Sequence, residues 1–276
     1  MDVKIDSYGV TDIGERSANE DQFLIADLRR AMVVEQTSLV QNDGSFFWGT
    51  GLRYLYLVAD GVGGAGQGEE ASRAATAAIE RHLLHTMPWL LSLRQDSEDD
   101  LVNELKRIMQ SSGDAAGEVV KSDLSPHKPA TTLTMAYVIW PRMYVVHAGD
   151  CRCYVYRSGE IRQITTDHTV AQQLADRGIL DQDKADDSRW SNVLWNSLGG
   201  DKPGVVAVVH KATLWPGDTI LLCTDGITHS LDDDRIASII GEASSAEKAS
   251  TALIAAARDN GAQGNATAVV ARFGPV

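Results

Sequence analysis

Apolar and polar positions follow two different spacings along the chain. Short apolar runs bounded by turn residues are typical of strands, and they occur at 22–26, 54–59, 132–140, 143–148, 152–156, 161–164, 219–224 and 267–273. Apolar residues spaced three and four apart are typical of one helix face, and they occur at 69–84, 97–120, 170–177, 234–241 and 246–259. Turn residues predict hairpins at 42–45, 141–142 and 157–160. Hairpins combined with paired helices indicate an α+β fold rather than a doubly wound parallel sheet.

The composition is that of an ordinary globular protein, and nothing divides the chain. The 276 residues are 43% hydrophobic and 23% charged, without repeats or Pro/Gly-rich linkers, which predicts one domain over residues 1–276. A net charge of −13 argues against nucleic acid or an anionic membrane as partner. We expect a cytoplasmic protein, because no apolar run is long enough to span a bilayer and residues 1–10 lack a signal-peptide pattern. We also expect a monomer. Three cysteines, an odd number, fit a reducing compartment, and the C-x-C at 151–153 is a weak metal motif.

Acidic residues stand at the ends of several predicted strands. Asp60 follows the run LYLVA and Asp225 follows TILLCT, and each acid is followed by glycine. Three further acids flank strands in the same way: Glu20, Asp21 and Asp150. Acids at the ends of strands in one sheet can converge, and carboxylates with a backbone carbonyl suit Mg²⁺ or Mn²⁺. The alternative meaning of a single Asp-Gly pair is a plain turn.

The stretch GVGGAG at 61–66 matches the glycine pattern of dinucleotide-binding loops. That function requires a strand after the helix, with an acidic residue about twenty positions on to hold a ribose. Here Glu80 falls inside the predicted helix, and the next long segment is another helix. The context therefore disfavours a dinucleotide site.

Seven short motifs follow one another along the chain. They are RSANED at 16–21, DGVGG at 60–64, ATT at 130–132, GDCR at 149–152, TTDHT at 165–169, NVL with LG at 192–199, and TDG at 224–226. Together they cover nearly the whole chain, and in kind and order they resemble the motifs of metal-dependent serine/threonine protein phosphatases of the type 2C, or PPM, family, in a bacterial-like member. The resemblance implies a four-layer αββα sandwich, with two central antiparallel β-sheets flanked by helix pairs. It also implies a flap at about 167–196.

The resemblance also implies a centre of two Mn²⁺ or Mg²⁺ ions. By position, its ligands or water-holding residues would be Asp60, Gly61, Asp225, Asp21 and Glu20. Asp60 would bridge both ions, and Arg16 would grip the substrate phosphate. A weaker third ion, seen in some bacterial-like members, would use an acid before the ATT segment, of which Asp123 is the nearest. His168 is interpreted as structural or flap-forming, and Val62 stands where some members carry a histidine.

The motif near the C-terminal end departs from the family pattern D-N-x-T. Asn265 and Thr267 match, but the position of the aspartate ligand holds Gly264, which offers no carboxylate. A water molecule could replace this ligand, with lower metal affinity. The glycine is either a natural variant with a weakened site or an engineered substitution that impairs an active enzyme.

The predicted function is hydrolysis of phosphoserine and phosphothreonine by attack of a metal-activated water. Its partners would be phosphoproteins, together with a serine/threonine kinase and that kinase's substrates. The main alternative is a pseudophosphatase that binds phosphoproteins without useful catalysis, because Gly264 removes a ligand. A further alternative is a partner-switching regulator that acts on a small phosphorylated antagonist protein.

Overall fold

The computed structural model describes most of the chain, in nine segments. The described residues are 3–29, 31–37, 53–63, 67–90, 98–119, 128–181, 184–185, 188–201 and 204–275. The hairpin predicted at 42–45 and the candidate ligand Asp123 lie outside these residues, so both stay predictions.

The described strands pair in two sheets, and each pairing is antiparallel. The first sheet has the order β1 (Val3–Asp12), β13 (Ala266–Pro275), β12 (Thr219–Cys223), β8 (Arg152–Arg157) and β9 (Glu160–Gln163). The second has the order β10 (Leu198–Gly199), β5 (Ala130–Thr131), β4 (Arg53–Val62), β6 (Leu133–Ile139), β7 (Arg142–Ala148) and β11 (Val208–Thr213). Strand β2 (Asp21–Arg29) pairs with β4 and with β3 (Ala31–Thr37).

Helices cover the outer faces of both sheets. Helices α1 (Gln67–Leu90) and α2 (Glu98–Gly117) pack on the second sheet, and α5 (Asp233–Glu242) and α6 (Ala246–Asp259) pack on the first. Two shorter helices, α3 (Val170–Asp176) and α4 (Asp225–Thr228), lie in connecting segments. The layers therefore follow the order αββα, and the predicted fold class is confirmed. Within the described residues, no helix combines the length and apolarity needed to cross a bilayer.

Central strands are apolar on both faces because each face packs against another layer. In β4, the residues that pack toward the helices α1 and α2 are Leu55, Leu57 and Ala59. The alternate residues that pack against the other sheet are Tyr54, Tyr56 and Val58. Two-sided burial explains why β4 reads as a continuous apolar run rather than an alternating one. It also gives Asp60, which follows this run, a rigid base.

Two sequence alternatives are resolved by the topology. The strands beside β4 run antiparallel to it, so the βαβ unit that a dinucleotide loop requires does not form at β4. Cys151 and Cys153 are fully buried in the core between the two sheets, where the Cys151 sulfur contacts the Thr132 hydroxyl at 3.0 Å. These cysteines are core residues, and the weak metal interpretation of the C-x-C is wrong.

One boundary near the site differs from the prediction. Asp225 was expected to end the apolar strand, but β12 ends at Cys223 and Asp225 is the first residue of α4. The chain leaves the sheet at Thr224, whose backbone N–H donates to Thr267 O at 3.1 Å and whose extended conformation caps the helix. Asp225 therefore lies beyond the end of β12, in the first turn of a short helix.

Candidate functional site

A cleft of about 660 Å³ lies at one end of the sandwich, where β4 and β12 finish. It brings together five of the predicted site residues with Asp150 and Gly264: Arg16, Glu20, Asp60, Gly61 and Asp225. Asn192 and Leu194, which lie in the predicted flap, form another part of its wall. Asp21 is buried beside the cleft, directly opposite Asp60 on the neighbouring strand.

Hydrogen bonds from Thr131 and Thr132 and close packing against Gly68 fix the backbone at Asp60 and Gly61. The Asp60 carbonyl accepts hydrogen bonds from Thr132 N at 2.8 Å and from Thr131 Oγ1 at 2.7 Å. A Cβ atom at Gly61 would lie 2.2 Å from the Gly68 carbonyl oxygen, so α1 approaches this strand too closely for any other residue. The Asp-Gly pair is thus a site of close packing at the end of β4, and not a plain turn.

Asp21 is fixed by two hydroxyl groups from the other sheet. Its Oδ2 atom accepts hydrogen bonds from Thr224 Oγ1 at 2.8 Å and Thr267 Oγ1 at 2.7 Å. Its Oδ1 atom is buried and has no hydrogen-bond partner among the described residues. Burial raises the pKa of Asp21 to about 7, although the two hydroxyl bonds act in the opposite direction.

Removal of one hydroxyl tests this arrangement. Thr267→Val keeps the shape of the side chain but leaves Asp21 with one donor, so we expect about 1–3 kcal/mol of destabilisation. Thermal unfolding of the variant measures this effect, and Thr213→Val on the exposed end of β11 serves as control. Equal unfolding temperatures for the two variants would show that the hydrogen bond from Thr267 to Asp21 does not stabilise the fold.

The acids of the cleft repel one another. Burial raises the pKa of Asp60 well above its usual range, and the charges of Asp21, Asp225 and Asp150 raise it further. Burial likewise raises the pKa of Asp150 to about 8, with added repulsion from Asp225. The Oδ1 atom of Asp150 is buried without a partner among the described residues. Crowded carboxylates with unsatisfied oxygens fit a bound divalent cation, which would remove the repulsion.

The described side chains do not, however, form a complete protein-only metal cage. Within these residues, no group of three or more His, Cys, Asp or Glu side chains has the geometry of a metal site. The donor set instead suits an ion that keeps several waters, as Mg²⁺ commonly does. Gly264 contributes to this shortage, because it lines the cleft without a side chain. A Cβ atom built at Gly264 would meet nothing within 4 Å.

Asn265 links the two ends of the chain at the cleft. Its Nδ2 atom donates to Ile13 O at 2.8 Å and to Ala18 O at 3.1 Å, and its Oδ1 atom accepts from Glu20 N at 2.9 Å. These bonds span the loop that carries Arg16 and place it at the cleft. Asn265 therefore holds the backbone on both sides of Arg16.

We expect Asn265→Ala to loosen this loop. Three hydrogen bonds are lost, so KM for the phosphorylated substrate that the family resemblance implies should rise, by roughly 10-fold if one to two kcal/mol of positioning is lost. Steady-state kinetics separates KM from kcat, and a change in kcat alone would contradict the positioning role.

A buried histidine, His168, lies at the base of the predicted flap. The His168 ring lies between the His147 and Trp195 rings, with centroids 4.6 and 4.7 Å away. Its Nδ1 atom accepts from Gly149 N at 3.2 Å and lies 2.8 Å from Asn196 Nδ2. Burial lowers the pKa of His168 to about 4, so the ring is neutral near pH 7. These contacts agree with the structural interpretation of His168.

Several residues of the site have no role that the sequence predicts. Asp150 follows a predicted strand, but its burial in the cleft depends on contacts across both sheets. The hydroxyls of Thr224 and Thr267 lie inside recognised motifs, yet their shared partner Asp21 is more than 200 positions away. No local pattern identifies such a bond.

Comparisons with known proteins agree with this site. A family model described as protein phosphatase 2C matches residues 34–258. Serine/threonine protein phosphatase PstP of Mycobacterium tuberculosis is 31% identical over 217 residues, which are 79% of this chain. The chain spans 40% of the length of that relative.

Solved structures share the fold. The serine/threonine phosphatase of S. agalactiae has a TM-score of 0.78 at 22% identity, covering 98% of this chain and 99% of that chain. The catalytic domain of PstP in complex with two manganese ions has a TM-score of 0.72 at 28% identity, covering 99% of each chain. Because the family match extends over most of the sequence, the chain belongs to the protein phosphatase 2C, or PPM, family as a bacterial-type member.

Proposed function

We propose that this protein is a metal-dependent phosphatase that removes phosphate from phosphoserine and phosphothreonine in proteins. The observation that carries the proposal is the cleft in which buried, mutually repelling carboxylates stand beside Arg16. Such a cleft binds divalent cations and a phosphate group together. The names of the relatives, which are serine/threonine phosphatases, support the same substrate class.

The chain offers ligands for two Mn²⁺ or Mg²⁺ ions. Asp60, the Gly61 carbonyl and Asp225 would hold the ions, and Glu20 and Asp21 would hold bound waters or add ligands. When bound, two such ions lower the pKa of a water molecule and offset the charge of the phosphate. The third ion at Asp123 stays a prediction, since that residue lies outside the described part of the chain.

Arg16 would orient the substrate. Its planar guanidinium can donate two hydrogen bonds to phosphate oxygens, and its loop is exposed at the cleft. Val62, which also lines the cleft, is 43% exposed and has no titratable group, so it cannot protonate the leaving oxygen. A bound water would supply that proton.

The main rival is a phosphoprotein-binding module without useful turnover. Gly264 favours it, because the missing carboxylate weakens metal binding. The two functions share the fold and the phosphate site, and they differ in metal affinity and turnover. The proposed partners are phosphoproteins and the serine/threonine kinase that phosphorylates them, and we propose a cytoplasmic monomer.

Phosphate release from matched peptides tests the function. With Mn²⁺ present, we expect turnover of phosphothreonine and phosphoserine peptides. Arg16→Ala should lower kcat/KM by roughly 10- to 100-fold, because a charge-assisted bond to phosphate is lost. Arg81→Ala on the exposed face of α1 is the matched control and should have no effect. Phosphopeptide binding without phosphate release, at any Mn²⁺ concentration, would favour the rival function.

A further inference from the structure

The proposed metal centre is one carboxylate short at Gly264, and a histidine stands at the same corner of the cleft. We propose that His229 supplies a nitrogen ligand to the metal ion held by Asp225, in place of the carboxylate that residue 264 lacks. This inference rests on the metal-dependent phosphatase function proposed above, and it identifies a ligand specific to this chain.

The geometry of α4 places the two side chains together. Asp225 is the first residue of the helix and His229 is its C-cap, and His229 N donates to Asp225 O at 2.8 Å. Residues four apart lie on the same helix face. The His229 Nδ1 atom lies 3.5 Å from Asp225 Oδ2. Two donor atoms bound at right angles to one ion, with bonds of about 2.1 Å, are about 3 Å apart, so a small rotation suffices.

The imidazole ring of His229 is free to bind a metal ion. The side chains of His229 and Asp225 are 36% and 31% exposed, and both residues line the cleft. Across the residues that the structure places, neither His229 ring nitrogen has a hydrogen bond, and the separation from Asp225 exceeds that of a charge-assisted bond. If the His229 ring served only to hydrogen-bond Asp225, its Nδ1 atom would lie closer than 3.5 Å to Asp225 Oδ2.

The loop that carries Gly264 packs directly against α4. Asn260 Nδ2 donates to Ser230 O at 3.0 Å, which ties the start of this loop to the residue after His229. At the other end, a Cβ atom on Gly226 would lie 2.1 Å from Asn265 O, so the two backbones are in contact. A ligand from α4 can therefore serve the same ion that a side chain at position 264 would reach.

A nitrogen ligand has a consequence for the choice of metal. Imidazole binds transition-metal ions well, whereas Mg²⁺ prefers oxygen ligands. The unpartnered Oδ1 atom of Asp150 in the same cleft shows that hard oxygen donors are also present. A mixed set of one imidazole and several carboxylates favours Mn²⁺ over Mg²⁺. His229→Asp should therefore lower the ratio of Mn²⁺ affinity to Mg²⁺ affinity.

Pulsed EPR of the Mn²⁺-loaded full chain tests the proposal directly. Coupling between Mn²⁺ and a ligand nitrogen is expected in the unmodified protein and should be lost in His229→Ala. The control is His85→Ala, which removes an exposed histidine on α1 and should leave the coupling intact. If His229→Ala does not fold, His229→Gln removes the imidazole while it keeps a polar side chain of similar size.

A double-mutant cycle tests whether His229 replaces the carboxylate that is missing at position 264. His229→Ala alone should weaken Mn²⁺ binding by roughly 10-fold, which is the loss expected for one ligand interaction. In a Gly264→Asp background, the same substitution should weaken it by less than about 3-fold, because the new carboxylate replaces the lost nitrogen. Equal losses in both backgrounds would overturn the compensation.

The spectroscopic outcomes separate this inference from the proposed function. Nitrogen coupling that survives in His229→Ala, or that is absent from Mn²⁺-loaded protein that releases phosphate, overturns the His229 ligand and leaves the phosphatase intact. Failure of the chain to bind Mn²⁺ at all overturns both. Coupling that disappears with His229 alone supports the assignment.

Discussion

Asp60→Asn is expected to reduce phosphate release by about 1000-fold or more, because several kcal/mol of metal-dependent stabilisation is lost. Asp60 is close enough to Asp21, Asp150 and Asp225 for their charges to act on it, and it is one of the residues that would hold the proposed ions. Initial rates with a phosphothreonine peptide at saturating Mn²⁺ measure the effect. The control is Asp114→Asn, on an exposed side chain of α2 away from the cleft, and it should retain full activity.

The same substitution should stabilise the metal-free protein. The folded-state pKa of Asp60 lies well above the unfolded value, so its ionised form opposes folding. The folded state holds the proton more tightly, and stability is therefore lost as pH rises through the unfolded value near 3.8 toward the folded one. Asp60→Asn removes this loss, so the metal-free variant should unfold at a higher Tm than the unmodified protein at pH 8.

Thermal unfolding in EDTA at pH 5 and pH 8 checks this expectation. The difference in Tm between Asp60→Asn and the unmodified protein should grow at the higher pH, and added Mn²⁺ should abolish it. A variant that is less stable than the unmodified protein at both pH values would show that the acids do not repel one another.

Gly264→Asp is the second substitution with a large expected effect. It should lower the Mn²⁺ concentration for half-maximal turnover by about 10- to 100-fold, because it restores one carboxylate beside the proposed ions. The site has room, since a Cβ at this position meets nothing within 4 Å and the backbone is outside the left-handed region. Phosphate release across a Mn²⁺ titration measures the shift.

Gly264→Asn is the matched control for charge. It adds a side chain of nearly the same size without a negative charge, so it should improve Mn²⁺ dependence far less than Gly264→Asp. If both variants behave like the unmodified protein, position 264 does not reach the metal centre. In that case, the departure from the family motif would have no functional consequence.

The sequence predicts correctly those turns and helices whose structure depends on residues close together in the chain. The hairpin at 157–160 is confirmed, and Ser158 and Gly159 have φ angles of 52° and 93°, as a tight two-residue turn requires. Helix α6 has the bounds predicted for it, 246–259, and in the structure the Ser245 side chain caps its first turn. The αββα order followed from the family resemblance and not from periodicity.

Long-range pairings were missed for a physical reason. Strand β1 pairs along its length with β13, so that Val3 lies opposite Pro275, and nothing in the mixed polarity of β1 indicates this partner. Strand β11 is partly exposed and likewise lacks an apolar run. In the site, the hydrogen bonds of Asp21 to Thr224 and of Asn265 to Ile13 join residues more than 200 positions apart. These contacts exist only after both sheets have formed.

The most direct test of the central claim is phosphate release by metal-stripped protein before and after Mn²⁺ is restored. The proposed function predicts no release from a phosphothreonine peptide in EDTA, and saturable release once Mn²⁺ is added to the unmodified chain. Release that persists in EDTA would contradict metal dependence. Absence of release from both the unmodified chain and Gly264→Asp, with Mn²⁺ demonstrably bound, would contradict catalysis and leave a phosphoprotein-binding fold.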